Sequence, residues 1–189
     1  MQKTTKKLVI AALMAAFTCI ATMIIKISTP TFGYIHLGDG LVLLSGIVLG
    51  PATGAIAAGI GSMFADIFSG YVTWAPATFI IKALTATIAG LLFSATKHRL
   101  PSSRMYSLSI IISGFIGETI MVVGYFLYET GLAAASSGGF TKAALAAGAA
   151  SSATGIPFNI VQGIVGILIC LVLMPILLKI PNIKDWISN

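Results

Sequence analysis

The 189 residues of this chain are 57% hydrophobic and only 8% charged, with a mean hydropathy of +1.02. An ordinary soluble domain carries about 25% charged residues, so this composition excludes one and indicates an integral membrane protein. The net charge of +6 does not indicate a nucleic-acid partner, because the Lys and Arg residues are scattered over the chain ends and connections. The two cysteines, Cys19 and Cys170, lie in apolar stretches and are expected to be free, buried thiols.

The apolar stretches predict an all-α membrane protein, a six-transmembrane-helix bundle that forms a single domain over residues 1–189. The first stretch is longer than the core of a signal peptide and is interpreted as a retained helix. The second is too short to span a bilayer alone, so its N-terminal side is expected to continue into the polar and aromatic segment 28–40. The predicted helices lie near residues 8–27, 41–49, 52–70, 76–96, 105–128 and 155–179.

The basic residues predict the orientation of the chain in the membrane. With six crossings they fall on one side, which is the cytoplasm by the positive-inside rule, so both termini are expected to be cytoplasmic. These residues are Lys3, Lys6, Lys7, Lys97, Arg99, Arg104, Lys179 and Lys184. His98 is expected to contact lipid headgroups on that side.

Three connections, 28–40, 70–76 and 129–153, then lie on the outer side. The first two combine turn residues with aromatic and hydrogen-bonding groups that can cover a ligand. The third is rich in Ala, Gly and Ser and is interpreted as either mobile or weakly helical. Its role is interpreted as that of a hinge or lid, or else of a plain linker.

Three ionisable side chains, Asp66, Lys82 and Glu118, lie inside predicted helices. A charge near the bilayer centre costs at least about 2.5–3.5 kcal/mol, so such residues are functional candidates. Tyr125 falls on the same helical face as Glu118, seven residues earlier.

Two amides, Asn159 and Gln162, share one face in the outer half of the last helix. Together with the ionisable residues and the aromatic connections, they suit a small, flat, polar ligand better than an ion. The alternative is structural: Lys82 pairs with Glu118 or Asp66, and the amides only join helices.

Small residues predict close helix packing at two places. Gly54, Ala58, Ser62 and Asp66 recur at every fourth position of the third helix, and internal packing is the favoured interpretation. The first helix carries two superimposed pairs of small residues. Two roles remain possible for these pairs, docking of a partner and internal packing. These pairs are formed by Ala11, Ala12, Ala15 and Ala16.

Several motifs are absent from the sequence. It has no phosphate-binding loop of the G-x-x-x-x-G-K-[ST] type, so energy for any transport would come from a partner or a gradient. It has no metal-ligand cluster and no nucleophile and base at recognisable spacing. We therefore expect no catalytic residues, no metal and no resident cofactor.

Several segments together resemble the S component, the membrane-embedded substrate-binding subunit of energy-coupling factor (ECF) transporters. The resemblance covers about residues 8–178 and is weakest near 132–152. The segments that carry it are Gly33-Tyr34-Ile35-His36-Leu37-Gly38-Asp39, Leu49-Gly50-Pro51-Ala52-Thr53-Gly54-Ala55, Ala65-Asp66, Gly70-Tyr71, Trp74-Ala75-Pro76-Ala77-Thr78-Phe79-Ile80-Ile81-Lys82, Gly124-Tyr125-Phe126, Pro157-Phe158-Asn159-Ile160-Val161-Gln162-Gly163 and the alanine pairs of the first helix.

The resemblance implies capture of a vitamin or vitamin precursor in the prokaryotic plasma membrane. It implies delivery to a transmembrane coupling protein with two ATPase subunits, docked on the alanines of the first helix. Within the riboflavin-type sequence family, the Tyr-Ile-His-Leu-Gly-Asp loop is most similar to members for hydroxymethylpyrimidine or pyridoxine-type rings, with riboflavin second. The alternatives are an ion-coupled secondary transporter, a non-transporting scaffold subunit and, last, a membrane enzyme.

The resemblance and the residue chemistry together define a substrate-binding set. The ring is expected to stack on aromatic side chains, while charged and amide groups hydrogen-bond its heteroatoms and the loop 28–40 closes over it. The set comprises Tyr34, His36, Asp39, Trp74, Lys82, Glu118, Tyr125, Asn159 and Gln162.

Overall fold

A computed structural model describes residues 3–31, 33–97 and 103–179 of the chain. His98, Arg99 and Lys184, which entered the orientation argument, lie outside the described residues. The described elements are the helices α1 (Lys3–Ile24), α2 (Asp39–Leu49), α3 (Pro51–Phe68), α4 (Ala75–Lys97), α5 (Ser103–Ser136), α6 (Lys142–Ser152) and α7 (Ile156–Leu177), the strands β1 (Lys26–Ser28) and β2 (Tyr34–His36), and a 3₁₀ turn (Ala153–Gly155).

The predicted all-α membrane bundle is confirmed. Within the described residues, five helical segments are long and apolar enough to cross a membrane, namely Thr4–Ile24, Pro51–Phe68, Ala75–Thr96, Tyr106–Ser136 and Lys142–Leu177. The second predicted helix is α2, whose 11 residues rise about 16 Å and so cover only part of a bilayer of about 30 Å.

Helix α2 lies at the centre of the bundle. Ten of its 11 residues are buried, which fits a sequence that is apolar on every face. It approaches its neighbours through glycine, since a Cβ at Gly46 would clash with the Ala86 carbonyl of α4 and one at Gly54 of α3 would clash with the Ser45 carbonyl. These close approaches hold the start of α2, at Asp39, deep inside the protein.

The small-residue stripe of α3 packs internally, as its spacing predicts. Gly54, Ala58, Ser62 and Asp66 are all buried. Beside the stripe, a Cβ added at Gly61 would clash with the Ala15 carbonyl of α1. The stripe therefore serves the contacts of α3 within the bundle.

Many large apolar side chains are exposed, as in Phe17, Phe115 and Leu168, which is expected of a surface that faces lipid. The two cysteines are free, with Cys170 buried and Cys19 only half-buried. The expectation of two buried thiols is thus correct for Cys170 and wrong for Cys19.

The outer connections contain more regular structure than the hydropathy pattern predicts. Segment 28–40 holds part of an antiparallel hairpin, in which Lys26 pairs with His36 and Ser28 with Tyr34. The Ala, Gly and Ser-rich stretch is helical: α5 continues to Ser136, and α6 begins after Thr141, whose hydroxyl accepts a hydrogen bond of 3.1 Å from the Ala144 N–H. Of the two interpretations of this stretch, the structure has the helical one.

Candidate functional site

A narrow cleft opens at the end of the bundle where α1 ends and α4 begins. Its volume is about 30 Å³, which is room for about two water molecules. The hairpin, the α3–α4 turn, α5 and α7 all contribute to its walls. The lining residues are Thr29, Gly33, Tyr34, His36, Asp66, Tyr71, Trp74, Thr78, Tyr125, Glu129 and Asn159.

Two tight turns place the aromatic residues of the cleft. In the hairpin, the Thr29 N–H donates to the Gly33 carbonyl at 3.0 Å and so sets the entry of β2 at Tyr34. In the α3–α4 turn, Gly70 has a φ of 84°, a left-handed conformation that favours glycine. Tyr71 then folds back, and its N–H donates to the Asp66 carbonyl at 2.8 Å.

The aromatic rings form two clusters on the cleft walls. Tyr34 lies 4.7 Å from Tyr71, measured between ring centroids. Trp74 lies 6.4 Å from Tyr125 and 5.4 Å from Tyr128, whose hydroxyl donates to the Thr73 carbonyl at 2.5 Å. Such walls offer flat faces on which a planar ring can stack.

Hydroxyl and carboxyl groups alternate with these rings. Tyr34 donates to Oδ1 of Asp66 at 2.6 Å, and Tyr125 donates to the Thr78 hydroxyl at 3.2 Å. Burial, and then the nearby Asp66 carboxylate, raise the pKa of the Tyr34 phenol above its usual range, so it stays protonated as a donor.

Beneath the cleft lies a second set of polar groups, the buried polar layer, formed by Asp39, Lys82, Gln162 and the backbone of His36. Lys82 donates to Oδ1 of Asp39 at 2.5 Å, and both side chains are fully buried. Gln162 Nε2 donates to Oδ2 of Asp39 at 2.7 Å, and its Oε1 accepts from the His36 N–H at 2.9 Å. The layer therefore joins the hairpin to α2, α4 and α7.

This ion pair corrects the structural alternative drawn from the sequence. That alternative paired Lys82 with Glu118 or Asp66, whereas the structure pairs it with Asp39. Asp39 is the first residue of α2 and was placed in a connection by the sequence pattern. The central position of α2 brings the Asp39 carboxylate close to Lys82.

His36 faces both the cleft and the layer. Its Nδ1 accepts a hydrogen bond of 3.0 Å from the Gly38 N–H, which fixes the ring at the end of β2. Burial, with a smaller contribution from the Lys82 charge, lowers the pKa of the His36 imidazole to about 3. The ring is therefore neutral at physiological pH.

Glu118 lies away from the cleft. It is 4% exposed and lines a separate apolar groove between α5 and α7, at the lipid-facing surface. Within the described chain neither of its carboxyl oxygens has a hydrogen-bond partner, and the side chain packs beside Gly163 and Gly166. The shared helical face inferred for Glu118 and Tyr125 does not bring both to one cavity.

The structure thus divides the substrate-binding set into three groups. Five members line the cleft, namely Tyr34, His36, Trp74, Tyr125 and Asn159. Three members, Asp39, Lys82 and Gln162, belong to the buried polar layer, and Glu118 lies beside it, since Asp39 and the Glu118 carboxyl both lie against Gly166.

The set omitted two carboxylates of the cleft, Asp66 and Glu129. Asp66 was recognised as an intramembrane charge but was not assigned to the ligand. Glu129 was placed in a connection, because the helix was predicted to end at residue 128 whereas α5 runs to Ser136. A carboxylate one turn beyond Tyr125 on the same helix was the available signal.

The structure also distinguishes the two alanine pairs of α1. Ala11 and Ala15 are half-buried and pack against the core, whereas Ala12 and Ala16 are exposed. The second pair therefore presents a smooth strip on the outside of the bundle.

A bundle of membrane-spanning helices with an aromatic, polar cleft at one end defines a membrane protein that binds a small ligand. The sequence model of the family described as "ECF-type riboflavin transporter, S component" matches residues 2–179. The chain belongs to this family, as the resemblance in its motifs indicates.

Two further comparisons concern the fold and a relative of unstated function. A solved structure titled "Structure and mechanism of the S component of a bacterial ECF transporter" aligns with a TM-score of 0.62 over 93% of this chain and 97% of that one, at 20% identity, and so shares the fold. An uncharacterized protein of Pyrococcus woesei is 33% identical over 107 residues, 56% of this chain. The match spans 66% of that relative's length.

Proposed function

We propose that this protein is the substrate-capture subunit of an ATP-driven importer for a vitamin or vitamin precursor. The substrate is a small heteroaromatic ring of the hydroxymethylpyrimidine or pyridoxine type, with riboflavin second. The observation that carries the proposal is the cleft, in which stacking surfaces and hydrogen-bonding groups converge at one end of a membrane bundle.

In the proposed binding mode, the ring stacks on Tyr34, Trp74 or Tyr125, and Asn159 hydrogen-bonds a heteroatom. The cleft has room for about two water molecules, so the ring enters only when the hairpin or the α3–α4 turn moves outward. Return of the hairpin then covers the ring and excludes water, which strengthens each polar contact.

Lys82, Asp39 and Gln162 have a positioning role in this proposal. Gln162 accepts from the His36 backbone and donates to Asp39, so the hairpin is tied to the buried ion pair. The layer thereby fixes the position of the hairpin at the bottom of the cleft. Glu118, outside the cleft, acts on the ligand through the neighbouring Asp39 of the layer and through α5 and α7.

The size of the cleft favours a single ring over the three fused rings of riboflavin. A tricyclic ring system requires a larger outward movement of Trp74 and of the hairpin than a pyrimidine or pyridine does. Riboflavin, the substrate after which the family is described, therefore remains the second candidate for this chain.

The proposal includes the partners and the location. The protein resides in the plasma membrane with both termini in the cytoplasm, and a transmembrane coupling protein with two ATPase subunits drives release. The exposed pair Ala12 and Ala16 is the docking strip, because its small side chains let another helix approach closely. Reorientation of the whole bundle against the coupling protein then exposes the cleft to the cytoplasm.

The test is native mass spectrometry, with extraction of the ligand, on protein purified from cells grown in rich medium. A co-purifying pyrimidine, pyridine or flavin supports capture and names the substrate. An empty protein that shows no thermal shift with any of the three contradicts it and favours a scaffold. Uptake by vesicles that lack ATP and partners would instead favour an ion-coupled transporter.

A further inference from the structure

Glu118 is a carboxyl group buried well inside a membrane span. It is 4% exposed, and over the ranges that the structure describes neither of its oxygens has a hydrogen-bond partner. It lies on the span Tyr106–Ser136, about 18 Å from the first residue and about 27 Å from the last. An ionised carboxyl without a partner is costly at such a depth, so the state of Glu118 needs a physical account.

Glu118 and Asp39 meet at one glycine of α7. A Cβ added at Gly166 would lie 2.9 Å from Cβ of Asp39 and 3.3 Å from Oε1 of Glu118. Glu118 interacts electrostatically with Asp39 of α2 and Lys82 of α4, and the Cys170 thiol is the titratable group that faces it from α7. Helix α5 itself carries no charged residue within two turns of Glu118. The Glu118 carboxyl therefore borders the buried polar layer.

The groove on the other side of Glu118 offers it no partner. This groove, between α5 and α7, is apolar and faces lipid, and none of the described residues that line it is a cation. Thr119, which carries a hydroxyl there, already donates it to the Phe115 carbonyl at 2.8 Å. Lipid chains supply no hydrogen-bond donor. Any group that neutralises Glu118 must therefore act from the side of the layer.

The charges of the layer do not balance when both carboxyl groups are ionised. Lys82 pairs with Oδ1 of Asp39 at 2.5 Å, which is the one ion pair between the described residues, and Gln162 donates to Oδ2 at 2.7 Å. An ionised Glu118 would add a second negative charge beside this pair. An ionised carboxyl only accepts hydrogen bonds, whereas a protonated one also donates, and each oxygen of Asp39 has a further lone pair to accept.

We infer that Glu118 and Asp39 form a proton-binding site, in which Glu118 holds one proton and donates it in a hydrogen bond to Asp39. The proton comes from the solvent and forms one O–H bond on Glu118. The buried set is then the Asp39 carboxylate, the Lys82 ammonium and a neutral Glu118, with no net charge. This inference concerns the layer and does not rest on the proposed function.

The site connects a proton to the hairpin. Asp39 accepts from Gln162, and Gln162 accepts from the His36 N–H at 2.9 Å. When Glu118 loses its proton, a second carboxylate lies beside Asp39 and competes for Lys82. Like charges repel strongly where water is excluded. The bound proton therefore keeps the buried anchor of the hairpin intact.

Infrared spectroscopy of the full chain in lipid nanodiscs at pH 7 tests the protonation state. The wild type is expected to show the carbonyl band of a protonated carboxylic acid, and Glu118→Gln is expected to lose the share of one carboxyl group from that band. Thr119→Val, at the exposed neighbouring position of α5, is the matched control and is expected to keep the wild-type band. A band that Glu118→Gln leaves unchanged would overturn the inference.

The variant Asp39→Asn separates a shared proton site from burial alone. Without the Asp39 carboxylate, Glu118 is the carboxyl group left beside Lys82, so it is expected to ionise and its share of the band is expected to disappear. A Glu118 that is protonated only because it is buried would keep the band in Asp39→Asn. That result would overturn the shared site.

Chemical unfolding provides a readout that does not depend on the infrared band. Unfolding releases the Glu118 proton above about pH 6, because an exposed glutamate has a pKa near 4.3. Relative to Glu118→Gln, the unfolding equilibrium constant of the wild type is expected to rise about tenfold per pH unit between about pH 6 and 8. Glutamine has the shape of the neutral acid and also donates, so the variant is expected to fold. The same pH dependence in both chains would contradict a bound proton.

Discussion

The cleft and the buried polar layer lie next to each other and contain similar chemical groups, yet they differ in how those groups are paired. In the layer, both oxygens of Asp39 accept hydrogen bonds, from Lys82 and from Gln162. In the cleft, Asp66 and Glu129 each keep one oxygen unpaired. A polar group with every partner present is part of the protein's own structure, whereas a group that lines the cleft and lacks a partner is suited to a ligand.

This difference explains why intramembrane charge alone did not identify the site. Lys82 and Glu118 both lie inside predicted helices and are functional candidates on that criterion. The Lys82 ammonium pairs with Asp39 and lies 5.2 Å from the centroid of the Tyr125 ring, so it acts on the cleft through that ring and through the hairpin. Whether a buried charge has a partner within the protein, and not how deep it lies, separates a structural role from a ligand-binding one.

The largest expected effect comes from breaking the layer. Lys82→Met leaves the Asp39 carboxylate buried without its cation, and the free energy of unfolding is expected to fall by about 3–5 kcal/mol. Thermal unfolding in detergent measures this, and Lys142→Met, an exposed lysine at the start of α6, is the matched control. Lys142→Met is expected to change stability by less than about 0.5 kcal/mol.

The double variant Lys82→Met with Asp39→Asn sharpens this prediction. It removes both charges and keeps an acceptor for Gln162, so most of the lost stability is expected to return. A double variant as unstable as Lys82→Met would show that the packing of the lysine stem, and not the ion pair, holds the layer together.

The next effect comes from the cleft wall. Trp74→Ala removes a stacking surface, and ligand affinity is expected to fall by about 1–3 kcal/mol, the range found for stacking of bases on aromatic side chains. The unfolding temperature changes much less than in Lys82→Met, because Trp74 is only half-buried. Phe140→Ala, an exposed aromatic residue outside the cleft, is the control, and an equal loss of affinity there would contradict the assignment.

The sequence pattern predicts most of the bundle, because long apolar stretches must cross the membrane wherever they occur. It leaves α6 and the last turns of α5 open between a mobile and a weakly helical stretch, since Ala, Gly and Ser show no apolar period there. The short strands around Tyr34 are missed for a related reason: three residues are too few to show alternation.

The aromatic half of the site is predictable and the acidic half is not. Tyr34, Trp74 and Tyr125 stand out as rings near the ends of apolar stretches. The pairing of Asp39 with Lys82 depends on 43 residues of intervening chain and on the central position of α2, which no local pattern contains. Glu129 was missed because the helix was predicted to end at residue 128, one residue before it.

A smaller effect is expected on a surface that belongs to neither region. Ala12→Leu adds bulk to the exposed strip of α1 and is expected to weaken association with the coupling protein by about tenfold, or about 1.4 kcal/mol, while ligand affinity stays within twofold. Co-purification with the coupling protein and calorimetry measure the two quantities. Ala143→Leu, on the exposed face of α6, is the control, and equal association of both variants would rule out this strip as the docking site.

The smallest effect concerns His36, which lies where the cleft meets the layer. Because its pKa is about 3 in the folded protein and near 6.5 when unfolded, the unfolded chain binds a proton first as the pH falls. The contribution of His36 is therefore constant above about pH 7 and falls as the pH drops from 6.5 towards 3.

Between pH 7 and 5.5 the wild-type chain is expected to lose about 1 kcal/mol more unfolding free energy than His36→Gln, a variant that does not titrate in this range. Chemical unfolding at both pH values measures the difference. The glutamine keeps a hydrogen-bonding side chain near Gly38, so a general loss of stability would appear equally at both pH values. A difference that is the same at pH 7 and 5.5 would mean that His36 is open to water and belongs to the cleft alone.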